Sequence, residues 1–347
     1  MEPPTSSDLM PRPSPRLLSI VLPAFNEQNS VPLARRRFTD FIATLSCPVE
    51  LIIVNDGSRD DTLRLLLEWA QQDRRVKILS LARNFGHQAA LTAGLDAASG
   101  EAVVAMDFDL QDPPEVIGDM LAKYEQGYDV VYGQRVRRDG ETIFKRLTAW
   151  AFYRLMRTFV HRDLPADVGD FRLVSRRCLD AVRQMREMHR FLRGMFAWVG
   201  FAQTAVPYQR HARAAGETKF SARKMLRFAW TAAVSFSPLP LRMGLILGVI
   251  VAGFGFLLAV YAAVGRIFGW YEPERGWASL VVLISIVGGA ILISNGILGE
   301  YVGRIFEETK DRPLYIVSRS VNFGAPAPEL SLYVPEESAG KPTALRL

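Results

Sequence analysis

The run 105–115, AMDFDLQDPPE, carries two carboxylates, Asp107 and Asp109, one residue apart at the end of an apolar segment. Residues i and i+2 of an extended chain face the same side, so both can converge on one hard divalent cation, with the amide oxygen of Gln111 beside them. Residues 102–105 read as a buried strand, which puts the pair at the carboxyl edge of a sheet, where open α/β sheets hold ligands. A cation-bound diphosphate suits that place. The competing reading is an Asp-rich helix start ahead of Pro113 and Pro114, which accounts for Asp112 but gives Asp107 and Asp109 no role.

Two more polar clusters fall at expected strand ends: PAFNE at 23–27 and NDGS at 55–58. Turn-forming residues occur at such places in any protein, so the coincidence of three clusters on one edge carries more than each motif does. A nucleotide diphosphate needs acceptors for base and ribose, a cation for its phosphates and basic groups for the leaving charge. Glu27 and Asp56 can serve base and ribose, Asp109 and Gln111 the cation, and Arg135, Arg146, Arg213 and Lys219 the phosphates. For each arginine the plain alternative is a solvated surface.

The scaffold for these groups shows in the hydrophobic pattern. Strand-like runs near 18–22, 49–54, 76–81, 102–106 and 129–132 alternate with amphipathic stretches such as 62–72 and 88–98, the signature of a mainly parallel sheet wrapped by helices. The turn after the first run lacks a dinucleotide fingerprint, which disfavours NAD and FAD. A helix over 141–159, a strand over 171–174 and helices over 178–185 and 191–199 follow.

With 347 residues and 49% hydrophobic content, the chain can fold one large domain and still span a membrane. Segments 243–264 and 277–299 contain no charged residue, and each is long enough to cross a bilayer. Basic residues crowd the flank before the first segment, so the positive-inside rule places both ends of this hairpin in the cytoplasm. Trp270, Tyr271 and Trp277 suit an interfacial belt on the far side. Residues 221–236, with Arg223, Lys224 and Arg227 among apolar neighbours, read as an amphipathic helix on the membrane surface, the alternative being an ordinary surface helix.

The net charge is +6, with the basic residues concentrated between Arg135 and Arg242, which points to an anionic leaflet or a phosphate-bearing lipid and away from nucleic acid. The proline-rich start reads as a disordered lead with no apolar signal-peptide core, and the chain after Tyr315 as a loose tail. Cys47 and Cys178 read as reduced and structural. His87, His161, His189 and His211 have no ligand spacing and are assigned no metal. The organisation expected is a lead over 1–16, an α/β domain over 17–218, an interfacial helix over 219–240, two transmembrane helices over 241–300 and a cytoplasmic segment and tail over 301–347.

Taken in order, PAFNE, NDGS, NFGHQAALTAGLDAASGEAVVAMDFDLQDPPE, GQR, GDFRLVSRR and RHARAAGETKFS ahead of two apolar segments resemble the polyprenyl-phosphate glycosyltransferases of glycosyltransferase family 2. That group takes in dolichol-phosphate mannose synthase, the bactoprenol glucosyltransferases and the undecaprenyl-phosphate aminoarabinose transferases, and the likeness covers roughly residues 17–316. It implies a GT-A, Rossmann-like fold, a nucleotide-sugar donor, and inverting transfer onto the phosphate of a polyprenyl lipid such as undecaprenyl phosphate. By motif it assigns Asp107, Asp109 and Gln111 to Mg²⁺ or Mn²⁺ on the donor diphosphate, and Pro23, Phe25, Glu27, Asp56 and Asp107 to the nucleotide-sugar. It gives Arg135, Arg146 and Asp170 to catalysis or acceptor positioning, and Lys145, Arg213 and Lys219 to the acceptor phosphate. UDP is favoured over GDP by the same likeness, and a tetramer is implied as an assembly.

Asn55 stands where the group commonly has aspartate, and Phe108 where a small residue separates the two aspartates. A processive polysaccharide synthase would share the domain but needs a QxxRW-type element and more spans; this chain has RFLRGMFAW at 190–198. A non-catalytic nucleotide-sugar-binding scaffold is the other alternative, and it would be expected to have lost Asp109 or the basic residues.

Overall fold

The computed structural model of the chain describes residues 9–136, 168–210, 239–268 and 277–324. At its centre lie β1 (Leu18–Ala24), β2 (Val49–Asn55), β3 (Val76–Leu81) and β4 (Ala102–Ala105), all parallel. Every residue of β1, β2 and β4 is buried, because helices cover both faces of the sheet, and this is why these strands read as largely apolar runs, with Ser19, Glu50 and Asn55 the buried polar exceptions. On one face α1 (Val31–Ile42), α2 (Thr62–Gln72) and α4 (Val116–Glu125) pack through Phe38, Trp69 and Met120. On the other, α3 (His87–Ala97), α5 (Arg176–Arg183) and α6 (Leu192–Trp198) pack through Leu91, Leu179 and Phe196.

The sheet is mixed, with four parallel and three antiparallel neighbouring pairs. With β5 (Val130–Arg135), β6 (Val168–Ser175), β7 (Gln203–Tyr208) and β8 (Val317–Val321) its order is β7-β5-β6-β4-β1-β2-β3-β8. Strand β6 runs antiparallel to both β4 and β5. The reversal has a functional consequence, since it carries the amino end of β6 to the edge where the parallel strands have their carboxyl ends.

Two expected loose segments are ordered in part. Within the lead, the Arg12 guanidinium donates to the Gly127 carbonyl and reaches Asp129 at 3.2 Å, and its backbone N–H donates to the Glu125 carbonyl at 2.9 Å. After Tyr315 the chain forms β8, antiparallel to β3, and the Asn322 side chain donates to the carbonyls of Ala70 and Val76 at 2.7 and 2.8 Å. The short polar alternation VSRSV suits an edge strand, and its polarity hid it from the sequence reading.

Two long helices, α7 (Leu239–Ile267) and α8 (Trp277–Thr309), pack against one another, with Ser294 Oγ donating to the Gly244 carbonyl at 3.4 Å. Among the described residues one helical stretch, Ile286–Thr309, is long and apolar enough to cross a membrane, and Gly248–Leu257 is a shorter apolar stretch. Helix α8 runs past the expected boundary at Gly299 and touches the domain: Glu307 pairs with His189 at 2.7 Å, and Glu308 accepts the Met188 N–H at 2.9 Å. The helices expected over 141–159 and 221–236, and the residues Lys145, Arg146, Arg213, Lys219, Trp270 and Tyr271, lie outside the described residues.

Candidate active site

Strands β1, β2 and β4 are neighbours in parallel, so the clusters that follow them meet on one edge. Asp56 N–H donates to the Ala24 carbonyl at 2.9 Å and Met106 N–H to the Val21 carbonyl at 3.1 Å, which fixes the NDGS and DFD segments to β1. Within PAFNE, Pro23 is buried inside β1 opposite Val54, while Phe25 is 43% exposed and Glu27 is half-buried. Of that motif, then, Phe25 and Glu27 have side chains open to solvent.

Asp56 is buried with both oxygens in use. They accept Phe85 N–H at 2.7 Å, Gly86 N–H at 3.0 Å and Asn84 Nδ2 at 3.0 Å. Its desolvation raises the carboxyl pKa against the opposing pull of those amides. A carboxylate has about four lone-pair sites, so most of its capacity here is spent on loop 84–86. Gly57 lies against the same loop at φ +65°, and a Cβ there would strike the backbone of Arg83.

Strand β4 ends at Ala105, so Asp107 and Asp109 sit in the turn beyond it, not in extended chain. Their placement comes from Phe108, whose side chain is buried in the core between them, and from Leu110 at φ 56°, a left-handed conformation that costs a bulky residue about 1–2 kcal/mol. The large residue between the two aspartates is thus the anchor of the turn. Gln111 is buried, and its N–H donates to Asp109 Oδ1 at 3.1 Å.

Desolvation, with Asp170, Asp109 and Asp112 nearby, pushes the Asp107 carboxyl up to about 6 although His87 opposes it. No group of three His, Cys, Asp or Glu side chains among the described residues can hold a metal ion. Two carboxylates with the remaining oxygens supplied by diphosphate and water is the arrangement Mg²⁺ and Mn²⁺ favour, so the donor set fits such a cation.

Asp112 is not a helix cap. Helix α4 starts later, with Glu115 at its N-cap, and Asp112 is buried as acceptor for Tyr208 Oη at 2.6 Å and Arg210 Nε at 3.1 Å. Arg135 joins this group, its Nε donating to Tyr208 Oη at 3.3 Å, and the end of its side chain lies against Gly169. Arg210 also stands 3.8 Å from Asp107.

Asp170 lies within β6, not in a turn before it, and is 6% exposed. Arg193 holds it through Nε at 2.7 Å and Nη2 at 3.2 Å, His87 Nε2 lies at 3.1 Å and Gln88 Nε2 donates at 3.3 Å. Burial opposes ionisation, yet Arg193 and His87 hold the carboxyl well below the ordinary aspartate range. So paired, it is a poor proton acceptor and a good anchor for cationic neighbours.

The sequence reading gave His87, Arg193, Arg210 and Tyr208 no place in the site. His87 has no metal-ligand spacing, and its importance rests on distant partners, Asp170 being 83 residues away. The one local signal was its place in NFGHQ, between a strand and a helix.

A mixed α/β sheet with a carboxylate pair and arginines along the carboxyl edge of its parallel strands defines a GT-A-like, nucleotide-sugar-binding fold. Residues 19–183 match the family described as Glycosyl transferase family 2. The chain is 44% identical over 302 residues to an uncharacterized glycosyltransferase, YkcC, of Bacillus subtilis, covering 87% of this chain and 93% of the relative. It is 40% identical over 304 residues to the bactoprenol glucosyl transferase of Shigella phage SfII, covering 87% of this chain and 98% of the relative. A crystal structure of glucosyl-3-phosphoglycerate synthase from Mycobacterium tuberculosis with Mn²⁺, UDP and glucosyl-3-phosphoglycerate aligns at 20% identity and TM-score 0.42, over 63% of this chain and 78% of that one. The chain belongs to glycosyltransferase family 2 and is an enzyme of that family.

Proposed function

We propose that this glycosyltransferase moves a sugar from a nucleoside diphosphate, UDP in the first instance, to the phosphate of a polyprenyl lipid at the cytoplasmic face of a membrane. The observation that carries this reading is the gathering at one sheet edge of the Asp107–Asp109 turn with Arg210, 3.8 Å from Asp107, and Arg135, 4.0 Å from Asp112, on a chain that also has two long apolar helices. Relatives named for bactoprenol glucosyl transfer support the lipid acceptor.

Phe25 and Glu27 face the nucleotide, and Asp56 shapes that wall of the site through loop 84–86. Asp107 and Asp109, with Gln111, hold Mg²⁺ or Mn²⁺, which when bound neutralises the diphosphate as it departs. Arg135 and Arg146, with Lys145, Arg213 and Lys219, meet the phosphates. An oxygen of the lipid phosphate forms the new bond to the anomeric carbon as the bond to the β-phosphate oxygen breaks, inverting that centre. A phosphate monoester is already ionised near neutral pH, so positioning matters more than proton removal. Asp170 then serves by fixing Arg193 and His87. Helices α7 and α8, both crossing the bilayer, hold the site at the leaflet where the acceptor phosphate lies, and a tetramer of such chains is the proposed assembly.

The test is to incubate the full-length protein with undecaprenyl phosphate, a panel of UDP- and GDP-sugars and Mg²⁺ or Mn²⁺, and to weigh the lipid product by mass spectrometry. One sugar added to the lipid phosphate is the expected product, absent with EDTA and restored by the cation. No glycolipid from any donor, or transfer indifferent to chelation, rejects the reading.

A further inference from the structure

Nε2 of His87 lies 3.1 Å from Asp170 Oδ2 and 3.6 Å from Asp107 Oδ1. Those carboxylates come from different parts of the fold, one from strand β6 and the other from the turn after β4, and His87 is a side chain within reach of both. We propose that His87 is a positioning residue for sugar transfer, whose imidazole edge sets the cation-side carboxylate Asp107 against the Asp170–Arg193 pair. The proposal rests on the donor-site reading above and gives His87 a role beyond its contact with Asp170, toward the cation-side carboxylate.

Three features separate this from a histidine that merely satisfies a buried acid. Asp170 already accepts two bonds from Arg193 and one from Gln88, so its burial does not require an additional donor. The His87 side chain is 43% exposed, so it is not a core filler. It is also the first residue of α3, where the helix dipole disfavours a cation, so helix stability alone would select another residue.

The chain leading to it is built with care. Asp56 accepts the N–H groups of Phe85 and Gly86, the latter at φ +97°, and so sets the backbone from which His87 departs. Gln88, next to it, accepts the Leu192 N–H at 3.0 Å and fixes the start of α6, which carries Arg193. Loss of a group that orients a metal-binding carboxylate typically costs about 10–100-fold in metal affinity or activity.

The experiment compares His87→Phe, which keeps a flat ring without an N–H, with His87→Gln, whose Nε2 can donate from a similar reach. Full-length protein is titrated with Mn²⁺ in the presence of UDP or GDP, the wild type selecting the nucleotide, and free Mn²⁺ is read by electron paramagnetic resonance; the thermal midpoint of each variant is taken alongside. The expected result is an affinity for Mn²⁺ about tenfold weaker in His87→Phe, largely restored in His87→Gln, with the two midpoints alike. Wild-type affinity in His87→Phe overturns the proposal, and so does equal loss in both variants. Transfer to undecaprenyl phosphate is scored separately: a wild-type protein that binds Mn²⁺ with nucleotide yet makes no glycolipid rejects the acceptor reading and leaves His87 judged by its metal titration.

Discussion

Asp170 receives two bonds from Arg193 and further contacts from His87 and Gln88, a bonding pattern that separates two roles an aspartate can play in group transfer. A base must titrate near working pH, whereas this carboxylate is held ionised well below it. Asp170→Asn should therefore cut turnover by about 100-fold at every pH assayed, without removing a limb from the rate profile. A profile that loses its acid limb in the variant would restore the base. Asp109→Asn should abolish cation-dependent transfer while the protein stays folded and membrane-bound, as measured by glycolipid yield and thermal unfolding, because an amide is a weaker ligand than a carboxylate. The motif residues Asp107, Asp109 and Arg135 were legible because type and strand-end position suffice to find them. His87, Arg193 and Arg210 were not, since each gains its meaning from a partner on a distant element that only the folded sheet brings near.

Among the elements, the buried parallel strands were the most legible and the edges the least. Strands β7, QTAVPY, and β8, VSRSV, stand at opposite ends of the sheet and carry too little apolar periodicity to declare themselves. A chain ended after Leu314 lacks β8 and bares the outer edge of β3, so it should unfold several degrees lower and aggregate on heating, by scanning calorimetry and light scattering. An unchanged midpoint would make β8 ornamental. At the entry to β5, Asp129 joins the lead, β6 and α5 by accepting from Arg12, Ser175 Oγ at 2.7 Å and Arg177 at 2.6 Å. Its burial opposes ionisation, but Arg177, Ser175 and Arg12 win and lower its pKa. The stability it gives is full above the unfolded value of about 3.9 and fades as pH falls through the lower folded value. Asp129→Asn should cost about 3–5 kcal/mol at neutral pH in denaturant unfolding, with the gap to wild type closing in acid. A gap that does not change with pH would mean that hydrogen bonding, not charge, holds this joint.

For the whole molecule, the domain is tied to the long helices at the carboxyl end of α8. Glu307 and Glu308 of α8 touch His189 and the Met188 N–H, and Tyr315 Oη donates to Asp96 at 2.8 Å before the chain enters β8. Full-length protein should float with lipid vesicles through high salt and alkaline carbonate, and release by either would exclude a spanning anchor. The return of β8 to the sheet also imposes an order on biosynthesis. Strand β3 leaves the ribosome long before β8, and at about 5–20 residues per second its outer partner arrives roughly 10–50 s later. Both long helices are translated in that interval. The nascent enzyme therefore carries one edge of its sheet open while both long helices are made, and gains its last strand only after them.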